Sequence, residues 1–143
     1  MNLKITYHSA AEAEEAFYTA FQNLDLVQMR QVWANSASAY CIHPSGQLFQ
    51  GYDAILTSWN KIFQGAEKPR VHYSLIGQNN QENLAVHLVV ERISSSSEAA
   101  ETGAVVFATN VYLLTETGWH MLSHHAAQAR FEPGSPKTQK KLH

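Results

Sequence analysis

Apolar residues over the first 65 positions recur at helical spacing, and from residue 70 onward they run in long β-type stretches. Phe17, Ala20, Phe21 and Leu24 fall on one stripe and predict a first helix. Ser9-Ala10-Ala11-Glu12 opens it as a capping box, in which the serine hydroxyl takes an orphan N–H and the glutamate reaches back to the serine N–H. Asn23-Leu24-Asp25 breaks the repeat. Asp25, with Gln28 three residues on, caps a second, shorter helix that buries Leu26, Met29, Val32 and Trp33. Residues 38–42 and 47–50 read as a hairpin around the turn residues Pro44-Ser45-Gly46. Tyr52, Ile55, Leu56, Trp59, Ile62 and Phe63 then mark a third helix, closed by Gly65 and Pro69. Its bulk predicts packing across the sheet.

Four strands are predicted at 70–77, 84–93, 103–115 and 119–130, with turns at 78–83 and 116–118 and a serine loop at 94–97. In the third of these, Val105, Phe107, Val111 and Leu113 occupy one parity and Val106, Ala108, Tyr112 and Leu114 the other. A sheet with one wet face alternates apolar and polar, so two apolar faces need two covers. The helices supply one, and a second copy of the chain is the economical source of the other. The expected class is α+β, with three N-terminal helices packed on a strongly curved mixed or antiparallel sheet and an internal pocket between the layers.

The 143 residues fit one domain, and at 45% hydrophobic the chain can bury a full core. A net charge of −2 offers no strong field for nucleic acid or an anionic membrane surface. The single cysteine, Cys41, excludes an internal disulfide framework and suits a reducing compartment. No apolar run reaches spanning length and the N-terminus shows no signal-type apolar region, so the expectation is a soluble, cytoplasmic protein. Residues 1–130 read as the domain. Residues 131–143, with two prolines, a glycine and three lysines, read as a flexible tail. There is no P-loop, dinucleotide glycine fingerprint, paired-cysteine spacing or Gly-x-Ser-x-Gly elbow.

Several segments resemble the SnoaL-like branch of the nuclear transport factor 2-like superfamily. They are Asn23-Leu24-Asp25 between the first helices, Val32-Trp33-Ala34, His43-Pro44-Ser45-Gly46, then Gly51-Tyr52-Asp53-Ala54-Ile55 with Ser58-Trp59, and the final run from Gly118-Trp119 to Ala126-Ala127. The resemblance covers roughly residues 9 to 130. It implies a cone-shaped α+β fold, usually a homodimer joined through the outer sheet face, with a pocket between helices and sheet. Members include ketosteroid isomerase-like enzymes, polyketide cyclases, dehydratases and structural dimerisation domains, so shape is implied better than chemistry. The last hairpin also looks like the association domain of the calmodulin-dependent kinases. That domain carries a pocket arginine where this chain has Asn110, which puts carboxylate binding of that kind in doubt.

Within this frame His43 is the first candidate. It precedes a proline at a strand end, and neutral imidazole can act as base, donor or ligand near neutral pH. His124 and His125 are neighbours on a strand and point to opposite faces, so they cannot chelate one metal. His120 and His124 share a parity but stand about 13 Å apart at strand rise. No metal or cofactor is expected. Strict alternation groups Trp119, Met121, Ser123 and His125 on one face and His120, Leu122, His124 and Ala126 on the other, and the resemblance favours His125 as inward. Asn110 amid apolar neighbours must meet either a ligand or another side chain, and Tyr112 shares its parity. Trp33, Tyr40, Trp59, Phe63 and Trp119 read first as core, with Trp59 the favoured pocket wall and Tyr40 and Phe63 the other candidates. No carboxylate reads as a buried base: Glu14 falls on an early helical turn, and Glu91, beside Arg92, reads as facing water. The leading expectation is a homodimeric protein that binds a small hydrophobic or amphipathic molecule. The alternatives are an isomerase, cyclase or dehydratase with His43 or His125 as base, and a dimerisation module without ligand.

Overall fold

Alternation along the chain becomes a six-stranded sheet in the computed structural model, which describes residues 5–65, 67–95 and 103–130. The elements are α1 (Ala10–Asn23), α2 (Leu26–Val32), β1 (Tyr40–Ile42), β2 (Leu48–Gln50), α3 (Tyr52–Gln64), β3 (Pro69–Asn80), β4 (Leu84–Ser95), β5 (Ala104–Thr115) and β6 (Gly118–Gln128). The sheet order is β2-β1-β6-β5-β4-β3, antiparallel throughout except for the parallel pair β1 and β6. This is the expected α+β cone: three helices on one face of a mixed sheet.

Both predicted caps form. Ser9 accepts from the Glu12 N–H at 3.1 Å, although Glu12 reaches back to the N–H of His8 rather than of Ser9. Asp25 accepts from the Gln28 N–H at 3.1 Å. Leu24 between the helices takes the left-handed conformation (φ 54°) and closes α1. Three boundaries differ from the sequence reading. Pro69 starts β3 rather than ending α3, β3 runs on to Asn80, and β4 runs to Ser95. Polar Gln78, Asn79 and Asn80 read as a turn, but they pair with His87, Val86 and Ala85, so cross-strand hydrogen bonds override turn propensity. The serine loop continues into residues outside those described, as does the tail from 131.

The helix lying across the sheet is α1, which packs on β3, β5 and β6, whereas the bulkier α3 packs on β1 and β2 at the sheet's end. Small side chains explain this. Ala10, Ala13, Ala16 and Ala20 are buried along α1 and let its backbone approach the sheet. Phe17 fills the centre, with Tyr18, Trp59 and His124 at ring distances of 4.8, 5.5 and 4.9 Å.

One irregularity controls which side chains of β6 face inward. Val111 pairs with Ser123 but Tyr112 pairs with Met121, so Leu122 is an extra residue, a β-bulge. It breaks strict alternation. Met121, His124 and Ala126 are buried while His125 is exposed. On the opposite face of the sheet Leu88 and Phe107 stand 42% and 45% exposed, flanked by half-buried Val86, Val90, Val105 and Val111.

Candidate functional site

Between α1, α3 and the sheet lies a cavity of about 190 Å³, lined by Phe21, His43, Pro44, Ser45, Trp59, Ile62, Glu91, Ile93 and His124. Pro44 and Ser45 are exposed and Ile62 is 37% exposed, so the mouth lies between the β1–β2 turn and the last turns of α3. A groove of about 820 Å³ elsewhere is larger, but it is a surface depression beside Arg30, Glu116 and His120 that contains none of the cavity's polar groups.

Three buried polar side chains line this space. His43 sits at the end of β1, where its N–H bonds the Gln47 carbonyl across the turn. Its Nε2 lies 3.0 Å from Ser58 Oγ, and that hydroxyl donates its one proton to the Ile55 carbonyl at 2.7 Å. Ser58 must therefore accept, so Nε2 of His43 carries a proton and Nδ1 offers a lone pair. Cys41 Sγ lies 3.7 Å from the same ring, and burial raises the thiol's pKa, which makes it an inert core group.

Glu91 is 1% exposed. The sequence reading placed it in water beside Arg92, and the pairing of β4 overturns this. Glu91 shares the inward parity of Ala85, His87 and Val89, while Arg92 faces out. Burial pushes its carboxyl up to about 7, and the negative charge of Glu14 adds to the rise against the hydrogen bond from Tyr18. Glu14, read as an ordinary early-turn residue, is also buried, one helical turn before Tyr18 on the sheet-facing side of α1. A long strand's parity and an alanine-lined helix face were the signals for both, but in each case a charge outweighed them.

His124 is the histidine that lines the cavity, not His125. The bulge at Leu122 turns His125 to the outer face opposite Thr109, which corrects its placement as an inward candidate. Burial lowers the pKa of His124 to about 3 and also lowers that of His43, so both rings are neutral at ordinary pH.

Asn110 and Tyr112 do not line the cavity. They are fully buried behind it in a hydrogen-bonded chain. Asn110 Nδ2 donates to Tyr18 Oη at 3.0 Å, and Tyr18 donates to Glu91 Oε2 at 2.5 Å. Asn110 Oδ1 must then accept from His124 Nδ1, 2.6 Å away, which leaves Nε2 of His124 as an acceptor. Glu14 takes Tyr112 at 2.7 Å and His87 at 3.0 Å, with Asn110 Nδ2 at 3.4 Å. Asn110 thus meets side chains and sets the tautomer of His124. Trp59 lies along the cavity, its ring 4.9 Å from His43 and 5.1 Å from Phe21. Phe63 packs behind Trp59 at 5.7 Å, and Tyr40 is exposed on β1; neither lines the cavity.

The sequence profile of the SnoaL-like domain matches residues 11–130. The chain belongs to the SnoaL-like domain family. Among solved structures, this SnoaL-like domain is similar to a protein from Thiobacillus denitrificans assigned as a calcium/calmodulin-dependent protein kinase type II association domain. The two share 30% identity over 88% of this chain and 99% of that one, with a TM-score of 0.83. A protein of Streptomyces avermitilis assigned as a dehydratase of the nuclear transport factor 2-like family shares the fold at 24% identity, over 85% and 94% of the two chains, with a TM-score of 0.74. The F-box protein SKIP8 of Arabidopsis thaliana is 30% identical over 118 residues. These are 78% of this chain and 46% of that protein, so the SnoaL-like chain spans about half the length of the curated relative it matches.

Proposed function

We propose that this SnoaL-like domain is a homodimeric small-molecule-binding protein whose ligand sits in the cavity of His43, Glu91 and His124. The observation that carries the reading is the convergence of three buried polar groups on a space walled by Trp59, Phe21 and Ile93. Family membership is consistent with it, because the fold places helices over one sheet face and leaves room between the layers. At about 190 Å³ the space lies below the roughly 300 Å³ of ordinary drug-sized pockets, so the ligand is compact. The apolar outer face carrying Leu88 and Phe107 supports pairing with a second copy. The chain's one cysteine, buried and free, fits a reducing compartment such as the cytoplasm. A screen of compounds of up to about ten non-hydrogen atoms, read by the imidazole resonances of His43 and His124, tests the reading. Binders should shift both rings, and a screen in which no compound moves either one overturns it.

Glu91 favours a second reading, in which the site moves a proton on bound substrate. A carboxyl near 7 inside an apolar wall suits general acid–base work, whereas the two cavity histidines are held neutral and weakly basic by burial. On this reading Glu91, rather than a histidine, is the base. Deuterium exchange at an acidic C–H of a cavity-bound compound should then require Glu91 and vanish in Glu91→Gln. Exchange undiminished in that variant rules the reading out.

A further inference from the structure

Resting on the binding reading above, we infer that the cavity selects a compact protonated amine over carboxylates and over neutral isosteres. Among the described residues no lysine or arginine lines the cavity, and Arg92, next in sequence to Glu91, points to the opposite side of the sheet. Asn110 lies behind the cavity, with its amide engaged by Tyr18, Glu14 and His124.

The buried histidines and carboxyl that line the cavity offer acceptors, beside the indole N–H of Trp59, a donor without a partner among the described residues. Ser58 holds the Nε2 proton of His43 and leaves Nδ1, 4.0 Å from the Cys41 thiol, as a lone pair, and Asn110 holds the Nδ1 proton of His124 and leaves Nε2 as a lone pair. Glu91 accepts from Tyr18 through Oε2, which leaves Oε1 to meet a ligand. An ammonium group brings three N–H donors and a positive charge to these acceptors, and it pairs with the carboxylate at charge-assisted strength. The walls fit the same ligand, since the rings of Trp59 and Phe21 line the cavity and pack against a hydrocarbon body. A carboxylate ligand would meet the Glu91 charge, the Glu14 charge behind it and lone pairs on both imidazoles, all of which repel it. The two carboxylates of the interior are not equivalent here. Oε2 of Glu14 accepts from Tyr112, His87 and Asn110 behind the cavity, whereas Tyr18 supplies the one hydrogen bond that Glu91 accepts among the described residues.

The groups facing Glu91 set the pH dependence. They are Tyr18 and Glu14 from α1, Tyr73 opposite it on β3, Asn110 on β5, His124 on β6, and Cys41 and His43 from β1 and its turn. Glu91 ionises near 7, whereas burial lowers both histidines and raises the thiol and the phenols, so the Glu91 carboxyl carries the change of charge through neutral pH. Ammonium binding should therefore strengthen as pH rises through about 7, where the carboxyl ionises.

Three molecules of matched size test this: benzylamine, benzyl alcohol and benzoate. Each fills a volume of about six waters, which the cavity supplies. Calorimetric titration of the intact chain at about pH 8.5 should rank them amine, alcohol, benzoate, with benzylamine about tenfold tighter than the alcohol. At about pH 5.5 the amine's advantage should disappear, because Glu91 is then protonated. Glu91→Gln keeps the shape and the acceptor for Tyr18, and it should equalise amine and alcohol at both pH values. Benzoate binding as tightly as benzylamine overturns the inference, as does an amine preference that persists at low pH in the unaltered chain or that survives in the glutamine variant. If benzyl alcohol binds with no amine preference, the cavity still takes small molecules and only the inference fails. If none of the three binds, the binding reading fails with it.

Discussion

At the residue scale, two buried titratable groups shape stability in opposite directions. Glu91 has a folded-state pKa of about 7, above the roughly 4.3 of an unfolded glutamate, so between these values the folded state holds the extra proton. Stability then falls as pH rises through that window, and the penalty is complete above about 7, amounting to about 4 kcal/mol. His124 has the reverse sign. Its folded value of about 3 lies below the unfolded value of about 6.5, so the unfolded state holds the extra proton, and stability is lost as pH falls through that range. Glu91→Gln should melt higher than the unaltered chain at about pH 8, with the gain shrinking towards pH 4.5. Melting curves across pH check this, and a glutamine variant with the same pH slope as the unaltered chain contradicts the placement of Glu91. Asn110→Ala leaves the Nδ1 proton of His124 without its partner in a fully buried site. Denaturant titration should show a loss of about 1–3 kcal/mol.

At the element scale, the β5–β6 hairpin sets which face each histidine takes. Its two-residue turn ends on Gly118 at φ 109°, a conformation that suits glycine. A Cβ there would also lie 2.8 Å from the Tyr7 carbonyl oxygen, which accepts the Trp119 N–H from the next residue. Gly118→Ala therefore meets both backbone strain and backbone contact. It should cost on the order of 1–3 kcal/mol by thermal melting, and an unchanged melting temperature would contradict the described turn. Four residues along, the bulge at Leu122 shifts alternation by one position. The aromatic stripe of α3 and the alanine stripe of α1 were readable from sequence, yet their roles exchange in space. Small residues let α1 lie across the sheet, and bulky ones keep α3 at its edge, where Trp59 closes the cavity.

At the scale of the whole molecule, the sheet has one face covered by helices and another left with Leu88, Phe107 and their valine neighbours in solvent. Such a patch is unusual on a lone subunit. Sedimentation should give twice the 16.0 kDa of the chain, and Leu88→Asp combined with Phe107→Asp should give the monomer with its fold retained by circular dichroism. A monomer in the unaltered protein removes the dimer from the proposal. The internal cavity is a separate property, so a monomeric result leaves the ligand tests in place.

Helix caps, the hairpin around Pro44-Ser45-Gly46, the four long strands and the α+β class were determined by the chain alone, because each depends on residues a few positions apart. His43 and Trp59, which line the cavity, also stand in local patterns, a histidine before proline at a strand end and a tryptophan on an amphipathic helix. The tertiary structure decided the rest. Which of His124 and His125 enters the cavity depends on one bulged residue. Whether Glu91 is hydrated or buried depends on pairing with β3 and β5. Whether Asn110 greets a ligand or a neighbour depends on Tyr18, which lies 92 positions away. Local propensity is additive along the chain, but burial of a charge is a property of what closes over it, and that is known only once distant segments have packed together.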